Sequence, residues 1–301
     1  MELARPPRSG SRAAGVALLL CAAVLWSLGG VGIKSLSMAP LAVSGWRGLF
    51  ALPVLAGMLG VRARAAGAAA RLPLRAPWAW IGAAAYTVMM TSFVAATKLT
   101  TAASAIFLQY TSPVYVAILS WPLLRERVTW RDAVACFGVL AGMLLFFGDA
   151  LTPDARLGNA LGVLSGLGAA ALPLALRADQ RALARAGAPQ AASVSPALAI
   201  AAGDALGVLA CLPAMVASPP QGPGQWALVA GLGTMQIGLP YVLYALAVPR
   251  LTALESSLVP ALEPILNPVW VLLAVGERPG PLAIAGALFV LASVLLPSLG
   301  G

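Results

Sequence analysis

The chain has 301 residues, of which 60% are hydrophobic and only 10% charged, with a formal net charge of +9 and no histidine. A soluble domain of this length needs far more surface charge, and the missing histidine removes imidazole catalysis, imidazole metal ligands and histidine proton relays together. Mean hydropathy is +0.89, and apolar stretches near the roughly 20 residues that cross hydrocarbon as a helix recur from end to end, so the chain reads as an all-α integral membrane protein.

A basic tail, residues 1–13, carries Arg5, Arg8 and Arg12. The first apolar span, about 14–33, is long for a signal core, and Lys34-Ser35 offers no small-x-small cleavage site, so the span is expected to be retained. Further spans are expected at about 41–60, 76–97, 102–122, 131–148, 157–176, 197–217, 226–247, 253–275 and 281–299, ten transmembrane helices in all. Connections are short, so no separate soluble domain is expected. With the tail inside, Arg62, Arg64, Arg71, Arg75, Arg125, Arg127, Arg131, Arg177, Arg181, Arg185 and Arg250 share its side. Lys34, Lys98, Arg156 and Arg278 fall on the other, and Arg47 lies within a span. Retention of basic residues in the cytoplasm produces such a bias, which puts both termini on the cytoplasmic side. Spread this way, the charge forms no continuous face for nucleic acid. Cys21, Cys136 and Cys211 all fall inside spans at spacings that suit no zinc site. No metal or cofactor is expected.

The second half repeats the first at an offset of 151 residues: Gly15 meets Gly166, Gly82 meets Gly233, Thr101 meets Thr252, Pro113 meets Pro264, and Glu126-Arg127 meets Glu277-Arg278. Five spans per half, an odd number, force the second copy to enter the membrane from the opposite side. The expected architecture is therefore ten transmembrane helices as two inverted-topology five-helix repeats, residues 14–150 and 151–301, a plan that builds a midplane site with two alternating exits. Gly158, Gly162 and Gly166, Gly138 and Gly142, and Gly203 and Gly207 form four-residue stripes that allow close helix approach. The Gly138–Gly142 stripe is also a candidate seam for a homodimer.

Span nine holds the strongest local pattern, with Pro260, Pro264 and Pro268 four residues apart. Each lacks an N–H and frees the carbonyl four residues earlier, those of Ser256, Pro260 and Pro264. That strip should face protein or a wet cavity rather than lipid. At about 100° per residue, Ser256, Glu263, Asn267 and Trp270 share the sector. Glu263, near mid-span, is a candidate substrate-facing or proton-carrying group, with Glu255 as a second candidate proton site and Arg47 as a potential partner. Asp204 is an intramembrane acid with no partner apparent from sequence. Trp26, Tyr86, Phe93, Tyr110, Tyr241 and Tyr244, with Gln109 and Gln236, complete a candidate cavity wall for a partly apolar organic solute. No Walker-type phosphate loop and no Gly-x-Ser-x-Gly elbow is present.

These features resemble the drug/metabolite transporter superfamily, EamA type. The stretches that carry the resemblance are Trp26-Ser27 with Lys34, Trp46-Arg47-Gly48, Phe93 with Lys98-Leu99-Thr100-Thr101-Ala102, Ser112-Pro113 and Leu124-Arg125-Glu126-Arg127, then Leu262-Glu263-Pro264 and Gly276-Glu277-Arg278. The resemblance implies a secondary transporter and not an enzyme, an exporter of small metabolites such as amino acids or related compounds. It implies a cavity lined by spans one to four and six to nine, with five and ten peripheral and with Arg47, Ser112, Glu263 and Asn267 as further wall candidates, and a bacterial-type inner (cell) membrane is the expected location. It also implies that Glu126 and Glu277 are helix-end partners, not ligands. Ser112 stands where its repeat partner is Glu263, so the intramembrane acid is not duplicated. An integral-membrane enzyme acting on a lipid or isoprenoid would need an acid cluster such as Asp-x-x-Asp, whereas Asp149 and Asp154 are five apart in a loop. A non-transporting membrane scaffold is the remaining alternative.

Overall fold

A computed structural model describes residues 9–67, 74, 76–147, 154–266 and 281–295, and among them every regular element is helical. The first half comprises α1 (Ser9–Trp26), α2 (Gly29–Ser35), α3 (Pro40–Ala65), α4 (Pro77–Leu99), α5 (Ala102–Gln109), α6 (Ser112–Leu124) and α7 (Trp130–Phe147). The second comprises α8 (Arg156–Arg185), α9 (Pro189–Ala217), α10 (Gly222–Gly231), a π-helical segment Leu232–Gly238, α11 (Leu239–Ala247), α12 (Ala253–Leu258) and α13 (Pro281–Leu295). A 3-10 turn, Val248–Arg250, closes α11, and another, Val259–Leu262, follows α12.

Six helical stretches among the described residues are long and apolar enough to cross a bilayer: Pro40–Ala65, Pro77–Leu99, Ala102–Leu124, Arg156–Arg185, Pro189–Ala217 and Gly222–Arg250. Ser11–Trp26 and Ile284–Val294 are shorter apolar helices. The expected spans differ from the helices mostly at their ends. α8 runs on through Arg177, Arg181 and Arg185, and α9 begins at Pro189, because hydropathy marks hydrocarbon depth and not where helical backbone stops. Several expected spans are interrupted. Between α1 and α2 the helix breaks at Ser27-Leu28, just before Gly29-Gly30, a pair with poor helix propensity. Between α5 and α6 it breaks at Tyr110-Thr111, because Pro113 cannot donate to the Gln109 carbonyl. In the eighth expected span the π-helical segment interrupts the α geometry, and in the ninth the 3-10 turn around Pro260 does so.

Repeat-related helices pack against each other in opposite directions. A Cβ on Gly45 of α3 would meet Met215 and Cys211 of α9, and one on Gly48 would meet Val208. Further along the pair, Arg62 Nη2 donates to the Ser193 carbonyl at 3.0 Å. The same sense holds for expected spans four and nine, where α6 of one meets α12 of the other: Ser112 Oγ lies 3.2 Å from Ser257 Oγ and Ala253 N donates to Glu126 Oε2 at 3.4 Å. α7 and α13 follow, with Gly138 against Ser293 and Gly142 against Val290. Contacts between the halves also come in mirrored pairs: α4 packs on α8 as α11 packs on α1, and α4 on α9 as the π-helical segment on α3.

The glycine stripes are consumed by this packing. Gly158 faces Leu99 and Thr100, Gly162 faces Leu108, and Gly203 faces Ala83. The stripe Gly138–Gly142 is covered by α13 of the same chain, which corrects its assignment as a homodimer seam.

Candidate functional site

The helix interruptions converge on one cavity of about 90 Å³. A single water needs roughly 10–15 Å³ by such a measure, so the space holds several waters or a small solute. Eleven of the thirteen wall candidates line it. Trp26 comes from α1, Arg47 from α3, Phe93 from α4, Gln109 from α5, Tyr110 from the α5–α6 break and Ser112 from the start of α6. Gln236 comes from the π-helical segment, Tyr241 and Tyr244 from α11, Ser256 from α12, and Glu263 from the helical backbone beyond the 3-10 turn. Tyr86 stands one layer behind, against Asp204, and Asn267 lies outside the described residues, as do Trp270, Pro268, Glu277 and Arg278. Sequence reasoning missed Met89, Met90, Ala169, Leu172 and Ser257, apolar or small residues that carry no signal of their own, while Pro260, whose freed carbonyl lay on the strip expected to face protein or a wet cavity, is also in the lining. Among the described residues, α7, α9 and α13 contribute nothing to the lining.

Local chain geometry explains the polar groups. The break after α1 leaves the Trp26 carbonyl available, and Gln236 Nε2 donates to it at 3.2 Å. Gly29 permits that approach, since a Cβ there would overlap Gln236 Nε2. The other end of the same amide accepts from Arg47 Nη2. Gly233 lets the π-helical segment lie directly on the Arg47 carbonyl, 2.5 Å from where its Cβ would be. Arg47 is 1% exposed, and its Nε and Nη1 have no hydrogen-bond partner. Among the described residues it forms no ion pair; the three that exist are Arg12–Glu255, Arg177–Glu126 and Arg181–Glu126. Trp26 Nε1 is likewise buried and unpartnered.

Glu263 faces Arg47's cavity from the opposite half and is held by Tyr110, whose Oη lies 2.7 Å from Glu263 Oε2 and 2.7 Å from the Pro260 carbonyl. That carbonyl is the one freed by Pro264. Trp26, Tyr241 and Tyr244 form an edge-on aromatic cluster, with centroids 5.0 Å apart for Trp26–Tyr241 and 5.9 Å for Tyr241–Tyr244. Tyr86 extends it at 4.8 Å from Tyr241 and donates to Asp204 Oδ1 at 3.4 Å.

Glu255 is placed elsewhere. It is the third helical residue of α12 in a reciprocal capping box with Thr252 and is ion-paired to Arg12 at 2.5 Å. The second candidate proton site thus lies outside the cavity lining. The pattern Thr252-x-x-Glu255 is itself a capping-box signature that was readable in the sequence. Among the described residues, no three His, Cys, Asp or Glu side chains gather as metal ligands.

The family model described as "EamA-like transporter family" matches residues 13–148 and again 158–299. A solved structure titled "Crystal structure of protein" is similar, with a TM-score of 0.77 at 18% identity, covering 96% of this chain and 98% of that one. At that identity the likeness shows the fold alone. No curated protein matches the chain.

Proposed function

We propose that this chain, which belongs to the EamA-like transporter family, is a secondary transporter that exports a small organic metabolite, such as an amino acid or related compound, by alternating access. As a family member it is a multi-pass membrane transporter. Its ten spans form two inverted five-helix repeats, residues 14–150 and 151–301, in a bacterial-type inner membrane with both termini cytoplasmic. The antiparallel packing of α3 with α9, α6 with α12 and α7 with α13 supports the inverted repeat.

The observation that carries the reading is the cavity between the halves, whose wall joins Arg47 of the first to Glu263 of the second. Polar groups held at membrane depth are costly, about 2.5–3.5 kcal/mol for an acidic or basic side chain on insertion scales, and are kept where they face a solute path. Rocking one half against the other would open the cavity to each side in turn. Proton-driven export follows if Glu263 loads and releases a proton during the cycle. The test is efflux of labelled metabolite mixtures from liposomes containing the purified chain, with and without a pH gradient. Flux above protein-free liposomes is expected, faster with the gradient. Equal rates with and without it remove proton coupling, and no flux of any metabolite removes transport.

A further inference from the structure

Among the fully buried atoms of the cavity wall, the unmet hydrogen-bonding capacity has one sign. Arg47 Nε, Arg47 Nη1 and Trp26 Nε1 are the buried, unpartnered polar atoms on described residues that line it, and all three are donors. Several neighbouring polar atoms are engaged. Gln236 spends its oxygen on Arg47 and its nitrogen on the Trp26 carbonyl, Ser112 pairs with Ser257, and Glu263 accepts from Tyr110. Leaving a buried donor unmatched costs about 1–3 kcal/mol, more when it is charged.

Guanidinium geometry divides the demand. Nε and Nη1 project from different edges of the plane, so one acceptor cannot satisfy both. One edge has a protein group nearby. Arg47 shares a side pocket of about 10 Å³, close to the room one water needs, with Asp204. Asp204 Oδ2 is also buried and unpartnered. Gly48 brings that acid in, its own Cβ position lying 3.3 Å from Asp204 Oδ1. The remaining demand faces the main cavity, beside the rings of Trp26, Tyr241 and Tyr244.

We infer that the transported solute carries a carboxylate, seated on Arg47 and the Trp26 indole N–H, with an apolar body against the aromatic cluster. This rests on the transport reading and deepens it. Asp204 shares the side pocket with Arg47, and the main cavity is left to the solute.

The experiment measures binding of one carbon skeleton with different head groups to the full chain in nanodiscs, by equilibrium dialysis. Isocaproate is expected to bind at least about tenfold more tightly than isohexanol, with isohexylamine weaker still. Arg47→Gln should abolish the preference for the acid over the alcohol. Trp26→Phe, which removes the N–H and keeps an aromatic ring, should reduce the preference several-fold. If Arg47→Gln does not fold, the wild-type series and Trp26→Phe decide. Alcohol or amine binding as tightly as the acid overturns the inference, as does failure of every probe to bind or a preference that survives in folded Arg47→Gln. Leucine separates two sources of carboxylate. Tighter binding than isocaproate points to a zwitterion, weaker binding to a simple acid, and both sustain the carboxylate seat. Liposomes that export metabolites without any acid preference sink this inference alone, whereas absence of all flux sinks the transport reading.

Discussion

Tyr110 has one phenolic proton and two acceptors at 2.7 Å, the Pro260 carbonyl and Glu263 Oε2. When Glu263 is ionised the proton serves the carboxylate. When Glu263 is protonated it can donate to the phenol, which then turns its own proton to the carbonyl. Loading of Glu263 is thereby tied to the hydrogen bonding of the chain that carries it. Glu263→Gln, which donates permanently, is expected to flatten the pH dependence of liposome efflux, and an unchanged pH profile would return Glu263 to a structural role. Tyr110→Phe removes one of two donors to the Pro260 carbonyl, the Glu263 N–H being the other, and should cost about 1 kcal/mol, read as a lowered melting temperature in detergent. Adding Pro264→Ala supplies an N–H four residues beyond Pro260 and should recover part of that loss, with the double-mutant cycle giving the coupling. Most of the wall was legible at this scale, because polar and aromatic side chains inside apolar spans are conspicuous. Asp204 was visible as an acid but not as the neighbour of Arg47, since that pairing comes from the close approach of α9 to α3 at Gly48.

Among the elements, glycine spacing was readable and glycine partners were not. The same four-residue stripe serves a seam between chains or a seam within one, and only the packing of α7 on α13 decides. The contrast between two glycines tests how tight these seams are. A Cβ on Gly203 would stand 2.5 Å from the Ala83 carbonyl, a backbone atom that cannot swing aside, whereas Gly57 in α3 has nothing within 4 Å. Gly203→Ala is expected to cost about 1–3 kcal/mol through overpacking, while Gly57→Ala should be neutral or gain up to about 1 kcal/mol from helix propensity. Thermal unfolding of both in the same detergent checks this, and equal melting temperatures would mean that α4 and α9 part more easily than the packing implies. Helix interruptions were half legible. Pro113 and Pro264 announce freed carbonyls, but the π-helical segment that turns Gln236 toward Arg47 has no comparable sequence mark.

At the level of the whole molecule, the duplicated sequence made the mirrored packing of the halves readable, while the fastening between them was not. All three ion pairs among the described residues join one half to the other: Arg12 to Glu255 at 2.5 Å, and Arg177 and Arg181 to Glu126 at 3.0 and 2.5 Å. Arg125 ends α6 in the left-handed region, φ 55°, and so delivers Glu126 to the two arginines of α8. These contacts gather beside Thr252 and Glu255 at the end of the molecule that carries the basic tail. Opening the cavity toward that end must separate them. If the pairs favour the closed arrangement, Glu126→Gln with Glu255→Gln should raise the population open to that side, a change of about 1.4 kcal/mol multiplying it about tenfold. Ser257→Cys, which lines the cavity, provides the probe in a background carrying Cys21→Ser. Its modification by an impermeant maleimide from the basic-tail side should accelerate in the double variant and slow from the other side. Equal rates from both sides, in variants that retain the wild-type melting temperature, would show that the ion pairs only tie helix ends and take no part in selecting which exit is open.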